Sequence, residues 1–405
     1  MAVGVATGGA SVAVRTPQQD AHVIVERPTV ERRVTSSLDA GRIPVVLGGC
    51  GSGRTSLLLR LEAALGSARS QYLDMAAAAT TPERCHRAIM ASTRLEAGGA
   101  PAEVVTTRSA FDALMAYFDE ARADGVAPTF LLDEFLDVRT FESFPGLRHV
   151  QRELVVRLAE SPTRFVLASR FTSRVHRLLR DAPARFEVVH MPPLEAAEVH
   201  AMAQRFDGGR HTNLIDAAPA VAMLSGGLPA AAHVLLAGLA GMGSATDPVA
   251  ALAAALAPDG ALTARCRESY ELRLHRARGY GALKAILGIL AEIEPLTLTE
   301  ISQLLRRTPG STKDYLSWLE DVDMITMRGK RYAFTDPLIR VYVRLYGPPV
   351  PPTDDDIVRE VGAYAQARLP QMRLPQAPPS PPRPAGVAAS EPTADTMRSG
   401  IIEID

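Results

Sequence analysis

A chain of 405 residues is too long for one small core and suits two or three domains. Hydrophobic residues make up 47% and aromatics only 5%, so the expected cores are aliphatic and largely helical. A formal net charge of -1 excludes a protein coated in positive potential and confines any nucleic-acid contact to a local patch.

Residues 1–20 are small, polar and unpatterned, and are predicted to be disordered. Met1–Gln19 lacks the basic start and apolar run of a signal peptide. The three cysteines, Cys50, Cys85 and Cys266, have no metal-ligand spacing, which predicts a reduced, cytoplasmic setting. Val30–Asp39 reads as a short helix. Ile43–Leu47 is an apolar strand running into glycines, and Thr55–Leu65 follows with helical spacing. Gln71–Met75 reads as a strand. Arg108–Arg122 is amphipathic, with Phe111, Leu114, Met115 and Phe118 on one face. Thr129–Leu132, Arg164–Ala168 and Phe186–Met191 read as further strands, with a helix at Leu147–Glu160 and a stop at Pro192–Pro193. This alternation predicts an α/β core over residues 21–193, a parallel sheet covered on both faces.

The pattern then turns helical over residues 194–279: Leu194–Phe206, Leu214–Leu224, Pro229–Leu239, Pro248–Leu256 and Leu262–Arg278. Ala217–Thr246 carries no formal charge, but Gly226–Gly227–Leu228–Pro229 breaks it midway, so no membrane span is expected. Residues 280–346 read as a winged helix. Its helices are Ala282–Ile293, Leu298–Arg306 and Ser311–Val322, and its hairpin is Met324–Arg328 and Arg331–Thr335, turning at Gly329–Lys330. Residues 347–405 are Pro-rich and read as a mostly disordered tail with a short helix at Asp355–Arg368.

The chemistry starts at the end of the first strand. Gly48, Gly49, Cys50, Gly51, Ser52, Gly53, Arg54, Thr55 and Ser56 follow the pattern G-x-x-x-x-G-basic-Ser/Thr between a strand and a helix. Glycines there let several backbone N–H groups converge on phosphate oxygens, and the helix start adds its positive dipole end. Thr55 is placed to ligate Mg²⁺. The usual lysine is replaced by Arg54, whose planar fork keeps the charge but not the compact point charge, which puts hydrolysis rather than binding in question. Thr129–Glu134 is an apolar strand ending in two acids. Asp133 is the candidate for the magnesium shell and Glu134 for polarising water. Ser169, at the next strand end, faces the phosphate. Arg185 and Arg180 are candidates to reach a neighbouring copy's nucleotide in a homo-oligomer. On the winged helix, Lys313, Arg328, Lys330 and Arg331 are the candidate phosphate grips for duplex DNA, and packing against a protein partner is the other use.

Together these motifs resemble the AAA+ and STAND branches of P-loop ATPases, nearest in layout to archaeal-type and origin-recognition ATPases. The resemblance covers roughly residues 21–346 and rests on Gly48–Thr55, Asp133–Glu134, the Ser169 strand end, Met191–Pro192–Pro193–Leu194 and Gly227–Leu228–Pro229. It implies ATP and Mg²⁺ as cofactors and a finger arginine at Arg185. It also implies an ATPase that couples nucleotide state to DNA or protein binding, the alternative being a signalling switch or an ATP-holding protein without efficient hydrolysis. AAA+ members offer a lid arginine to the γ-phosphate; the Gly-x-Pro at Gly227–Pro229 stands there instead, as in STAND proteins.

Overall fold

A computed structural model describes residues 26–96, 104–206, 212–242, 247–274 and 279–369. The first part alternates helices and strands: α1 (Pro28–Asp39), β1 (Ile43–Leu47), α2 (Arg54–Leu65), β2 (Ser70–Asp74), α3 (Met75–Ala78), α4 (Pro82–Ser92), α5 (Thr107–Glu120) and β3 (Thr129–Asp133). A 3-10 segment, Phe135–Ser143, leads to α6 (Val150–Glu160), β4 (Arg164–Ser169), α7 (Thr172–Leu179) and β5 (Phe186–His190). The five strands form one parallel sheet in the order β2-β3-β4-β1-β5. β1 is therefore central, and all five of its residues are buried. Pro44 is tolerated because the ladder to β4 begins only at Val45, so its missing N–H costs no bond on that side.

Alternate residues point to opposite faces, and each face has its own cover. Val46, Leu131, Val166 and Ala168 pack under Val30, Val34 and Leu38 of α1 and Leu57, Leu58 and Leu61 of α2. Val45, Leu47, Phe130, Leu132, Phe165 and Leu167 face the other way. There Phe130 meets Phe118 of α5 at 4.8 Å and stacks on Phe165 at 5.7 Å. Burying a phenylalanine this fully contributes about 2–3 kcal/mol, so these rings fix the register of β4 against β3, whose C-terminal end carries the acids.

The helical part comprises α8 (Ala196–Phe206), α9 (Thr212–Leu224), α10 (Pro229–Gly241), α11 (Pro248–Ala255) and α12 (Ala261–Leu274). Residues 275–278, the predicted end of the last helix, lie outside the described residues. Gly226 and Gly227 both take left-handed backbone (φ +62° and +69°). A Cβ on Gly227 would come within 2.6 Å of Pro193 Cβ, so the turn seats directly on the linker from the core, where Leu194 N–H donates to Gly227 O at 2.7 Å. No helix among the described residues is long and apolar enough to cross a membrane.

The third part runs α13 (Tyr280–Glu292), β6 (Leu296–Thr297), α14 (Leu298–Leu305), α15 (Pro309–Asp321), β7 (Ile325–Arg328) and β8 (Arg331–Phe334). Its antiparallel sheet has the order β6-β8-β7, so three helices and a wing hairpin form winged-helix topology. Gly329 and Lys330 both have positive φ, the two-residue turn whose twist suits a hairpin. Trp318 and Tyr315 pack against the core.

Two helices close the body: α16 (Pro337–Tyr346) and α17 (Asp354–Gln366). The second falls where a short helix was expected, at Asp355–Arg368, but it packs on the body instead of standing in a tail. Thr353 and Asp356 form a capping box, and Ile357, Val361, Tyr364 and Ala365 are buried. Tyr364 Oη donates to Leu224 O at 2.9 Å, and Arg344 of α16 pairs with Glu360 in a two-pronged bridge at 2.5 and 3.0 Å. The short apolar stripe is enough because lid and winged helix already supply the groove. Residues 1–20 and 370–405, predicted to be disordered, lie outside the described residues.

The winged helix is also anchored to the core. No side chain of its own caps α7. Instead Asp323, just past α15, accepts from Ser173 N–H at 3.2 Å and Ser173 Oγ at 2.8 Å, and Arg177 pairs with Asp321. Asp323 sits in left-handed backbone at φ +51°, which aims its carboxylate at the helix start. Asp323→Ala should lower unfolding free energy by about 1 kcal/mol and raise amide exchange in the first turn of α7; an unchanged exchange pattern there would refute the cross-domain cap.

Candidate functional site: the loop between the first strand and its helix

The parallel register brings the predicted segments together. Leu47 pairs with Ser169 across β1 and β4, and Gly48 N–H donates to Ser169 O at 3.4 Å. The loop 48–53 turns through Gly51 (φ +80°) and Gly53 (φ +89°), both closed to side chains of ordinary handedness. A Cβ on Gly51 would also approach Ala230 Cβ to 2.9 Å and Arg265 Nη2 to 3.2 Å, so the loop apex lies tight against α10 and α12. Ala230 N–H donates to Gly51 O at 3.2 Å, which ties the start of α10 to the loop.

Thr55, in the first turn of α2, meets Asp133 at the end of β3: Thr55 Oγ1 donates to Asp133 Oδ2 at 2.5 Å. Tyr72 of β2 donates to the same oxygen at 3.1 Å. Burial first, then the Asp133 charge, raises the Tyr72 phenol, so it keeps its proton and remains a donor. A hydroxyl and a carboxylate oxygen thus converge in the manner of two hard-cation ligands.

Glu134 takes left-handed backbone (φ +51°), unusual for a residue with a side chain. Its N–H donates to Asp133 Oδ1 at 3.0 Å. The turn swings the carboxylate back over β1, where Arg54 Nη2 donates to Oε1 at 2.8 Å and Arg170 N–H donates to Oε2 at 3.1 Å. Arg54 and Glu134 are nearly sealed from solvent, at 7% and 11% side-chain exposure. Arg54 Nε and Nη1 are buried without partners, as is Ser52 Oγ. Such orphaned donors are rare unless a ligand meets them.

The space beside them is a cavity of about 280 Å³, lined among others by Cys50, Arg54, Arg170, Arg265, Ser269 and Asp336. Arg273 borders it, 6% exposed, with Nη2 3.9 Å from Cys50 Sγ and Nη1 unpartnered. Arg170 donates to Asp137 Oδ2 at 3.1 Å; burial raises the Asp137 carboxyl, and Arg170 opposes that shift.

No family model and no curated protein matches this chain. Solved structures do. A Walker-type ATPase of Pyrococcus abyssi superposes with a TM-score of 0.60 at 18% identity, covering 79% of this chain and 96% of that one. The fold is that of a P-loop ATPase. The origin-recognition protein ORC1 of Aeropyrum pernix, solved in complex with DNA, is more distant, with a TM-score of 0.42 at 15% identity over 82% of this chain and 95% of that one.

Within this P-loop fold, Gly48–Ser56, Asp133 and Glu134 lie together. Ser169 lies beside them, but its buried hydroxyl accepts from Phe171 N–H at 3.1 Å rather than facing the cavity. Arg185 is elsewhere. It precedes β5 at the opposite end of the sheet, and its guanidinium donates to Ala159, Ser161, Thr163 and Gly41 carbonyls. Those bonds satisfy the end of α6 and hold the planar fork in place, so the expected finger role has no geometric basis within this chain. Sequence reasoning missed Tyr72, Arg170, Arg265 and Arg273. The signal for the last two was present: residues 265, 269 and 273 recur every fourth position on one face of α12. The arginines that approach the loop from this helical part come from α12, not from the Gly-x-Pro turn.

Removing one partner of the sealed pair tests its weight. Glu134→Ala leaves a buried guanidinium and should lower stability by roughly 3 kcal/mol, while Arg54→Met with Glu134→Leu should recover most of it. Chemical denaturation of the three proteins checks this; equal losses in single and double variants would mean the pair does not act as a unit.

Proposed function

We propose that the chain is an ATP-binding switch that holds nucleotide and hydrolyses it slowly, changing the seating of lid and winged helix on the core. The observation that carries this reading is the set of buried, unpartnered donors (Arg54 Nε and Nη1, Arg273 Nη1, Ser52 Oγ) at the glycine loop. They match a polyanion, and Arg265 and Arg170 add charge on the same cavity. The loop amides and the start of α2 would cradle the phosphates. Thr55 Oγ1 and Asp133 Oδ2 fit Mg²⁺ in donor type and mutual approach. Bound there, the ion would neutralise phosphate charge.

Glu134 is the candidate to polarise water, yet both its oxygens are engaged by Arg54 and Arg170. Water activation requires Arg54 to turn from Glu134 to the phosphates, which frees one carboxylate oxygen. This exchange of partners couples binding to catalytic competence, and it favours retention over rapid turnover. A ligand that binds the closed lid better shifts the population toward it.

Calorimetry with ATP and Mg²⁺ tests the site. Arg54→Ala should weaken binding, and equal affinity would remove Arg54 from it. Glu134→Gln should keep ATP but lose turnover by roughly a hundredfold. Absence of nucleotide binding to the native chain sinks the reading.

A second role, duplex DNA binding, is favoured by one observation. Lys313, Arg328, Lys330 and Arg331 are all exposed, and the first three pair with no carboxylate among the described residues. Lys313 lies near the start of α15, the end that approaches bases in helix-turn-helix docking. Replacing Arg328, Lys330 and Arg331 together with alanine should weaken duplex binding and reduce its salt slope by about three. Unchanged binding would exclude the wing as a phosphate grip.

A further inference from the structure

The three thiols differ sharply in access. Cys85 and Cys266 are buried, and burial pushes both up to about 12. Cys50 is half-buried at the apex of the phosphate loop and lines the cavity of about 280 Å³. The rim of that cavity includes exposed Arg265, Glu268 and Leu272, so the sulfur has a path to solvent. Beside it stands a second feature: Arg273, more than nine-tenths buried, directs Nη2 to within 3.9 Å of the sulfur and leaves Nη1 without a partner. Arg265 and Arg54 lie on the same cavity.

We propose that Cys50 is a modification site, where exchange with a small anionic disulfide such as oxidised glutathione forms a mixed disulfide that closes the phosphate pocket. The exchange itself depends only on the thiol and its guanidinium neighbours; its consequence for ATP rests on the nucleotide reading above. Cys50 gives its proton to solvent, and Sγ attacks one sulfur of the disulfide. The Sγ–S bond forms as the reagent's S–S bond breaks, and the departing thiolate leaves with the bonding pair and takes a proton from water. A second thiol reverses the exchange. Carboxylates on the adduct supply acceptors for the orphaned Arg273 and Arg54 N–H groups. The attached chain then occupies the space over the loop amides.

The test uses the full chain treated in parallel with oxidised glutathione, which is anionic, and cystamine, which is cationic. Adducts are located by peptide mass spectrometry, and ATP affinity is measured before treatment, after it and after reduction. Cys50 should carry the adduct while Cys85 and Cys266 stay free. The anionic reagent should react roughly tenfold faster, and Arg273→Ala should shrink that preference. The adduct should weaken ATP binding by at least about tenfold, or 1.4 kcal/mol, and reduction should restore it. Cys50→Ser should show the same ATP affinity before and after treatment. Labelling of Cys85 or Cys266 in preference, equal rates for the two reagents, or an adduct that binds ATP unchanged would each overturn the proposal. If untreated protein binds no ATP, the nucleotide reading fails, and the labelling site and charge preference alone decide the fate of the Cys50 proposal.

Discussion

A buried guanidinium facing a buried carboxylate governs the site. Desolvating Arg54 and Glu134 costs several kcal/mol per ion unless each finds opposite charge. They find each other only because β1 and β3 end at the same level of one parallel sheet, with β4 between them. Everything else follows from that adjacency. Glu134 adopts left-handed backbone to turn inward, Arg170 adds an amide from the next strand end, and the glycine loop stays narrow enough for α10 and α12 to lie on it. One of the three Arg54 guanidinium nitrogens is satisfied and two are not. That imbalance makes the pair a primed arrangement rather than a static brace, since a polyanion offers more acceptors than one carboxylate can.

The winged helix belongs to the same chain of contacts. Ser169 ends β4, Arg170 touches Glu134, and three residues later Ser173 receives Asp323 from beyond α15. On another side Asp336, which caps α16, lines the cavity beside the glycine loop with Arg265. Short contacts therefore connect the strand end to the residues just past α15. The buried Asp323 Oδ2 has no partner, and burial raises this carboxyl. Such a contact holds the docked state firmly only while Ser173 stays in place.

Much of this was legible in the amino-acid order. Strands announced themselves because the central β residues are uniformly apolar and end in glycine or paired acids, and the loop because only glycines permit its backbone. The two-residue wing turn was equally plain at Gly329–Lys330. What escaped detection depends on tertiary geometry. Arg185, just before a strand, reads as a candidate to reach a neighbouring copy's nucleotide, but its guanidinium is engaged by carbonyls at the far end of the sheet. Arg265 and Arg273 sit on a helix whose apolar face is weakly patterned, so their common direction mattered only once α12 was known to cross the loop. The helix α17 is legible at Asp355–Arg368, but its packing is not: flanking prolines and three leading aspartates suggest solvent although they suit a helix start.

That last helix has an effect beyond its own packing. It is held by Tyr364 to the end of α9 and by Glu360 to α16, so it joins the lid to the C-terminal helices as a splint joins two bones. Any hinge motion of the lid must carry it along. Its outward face, marked by exposed Val358, is thus a natural place for a spectroscopic label that would report whether this splint shifts when ligand is added.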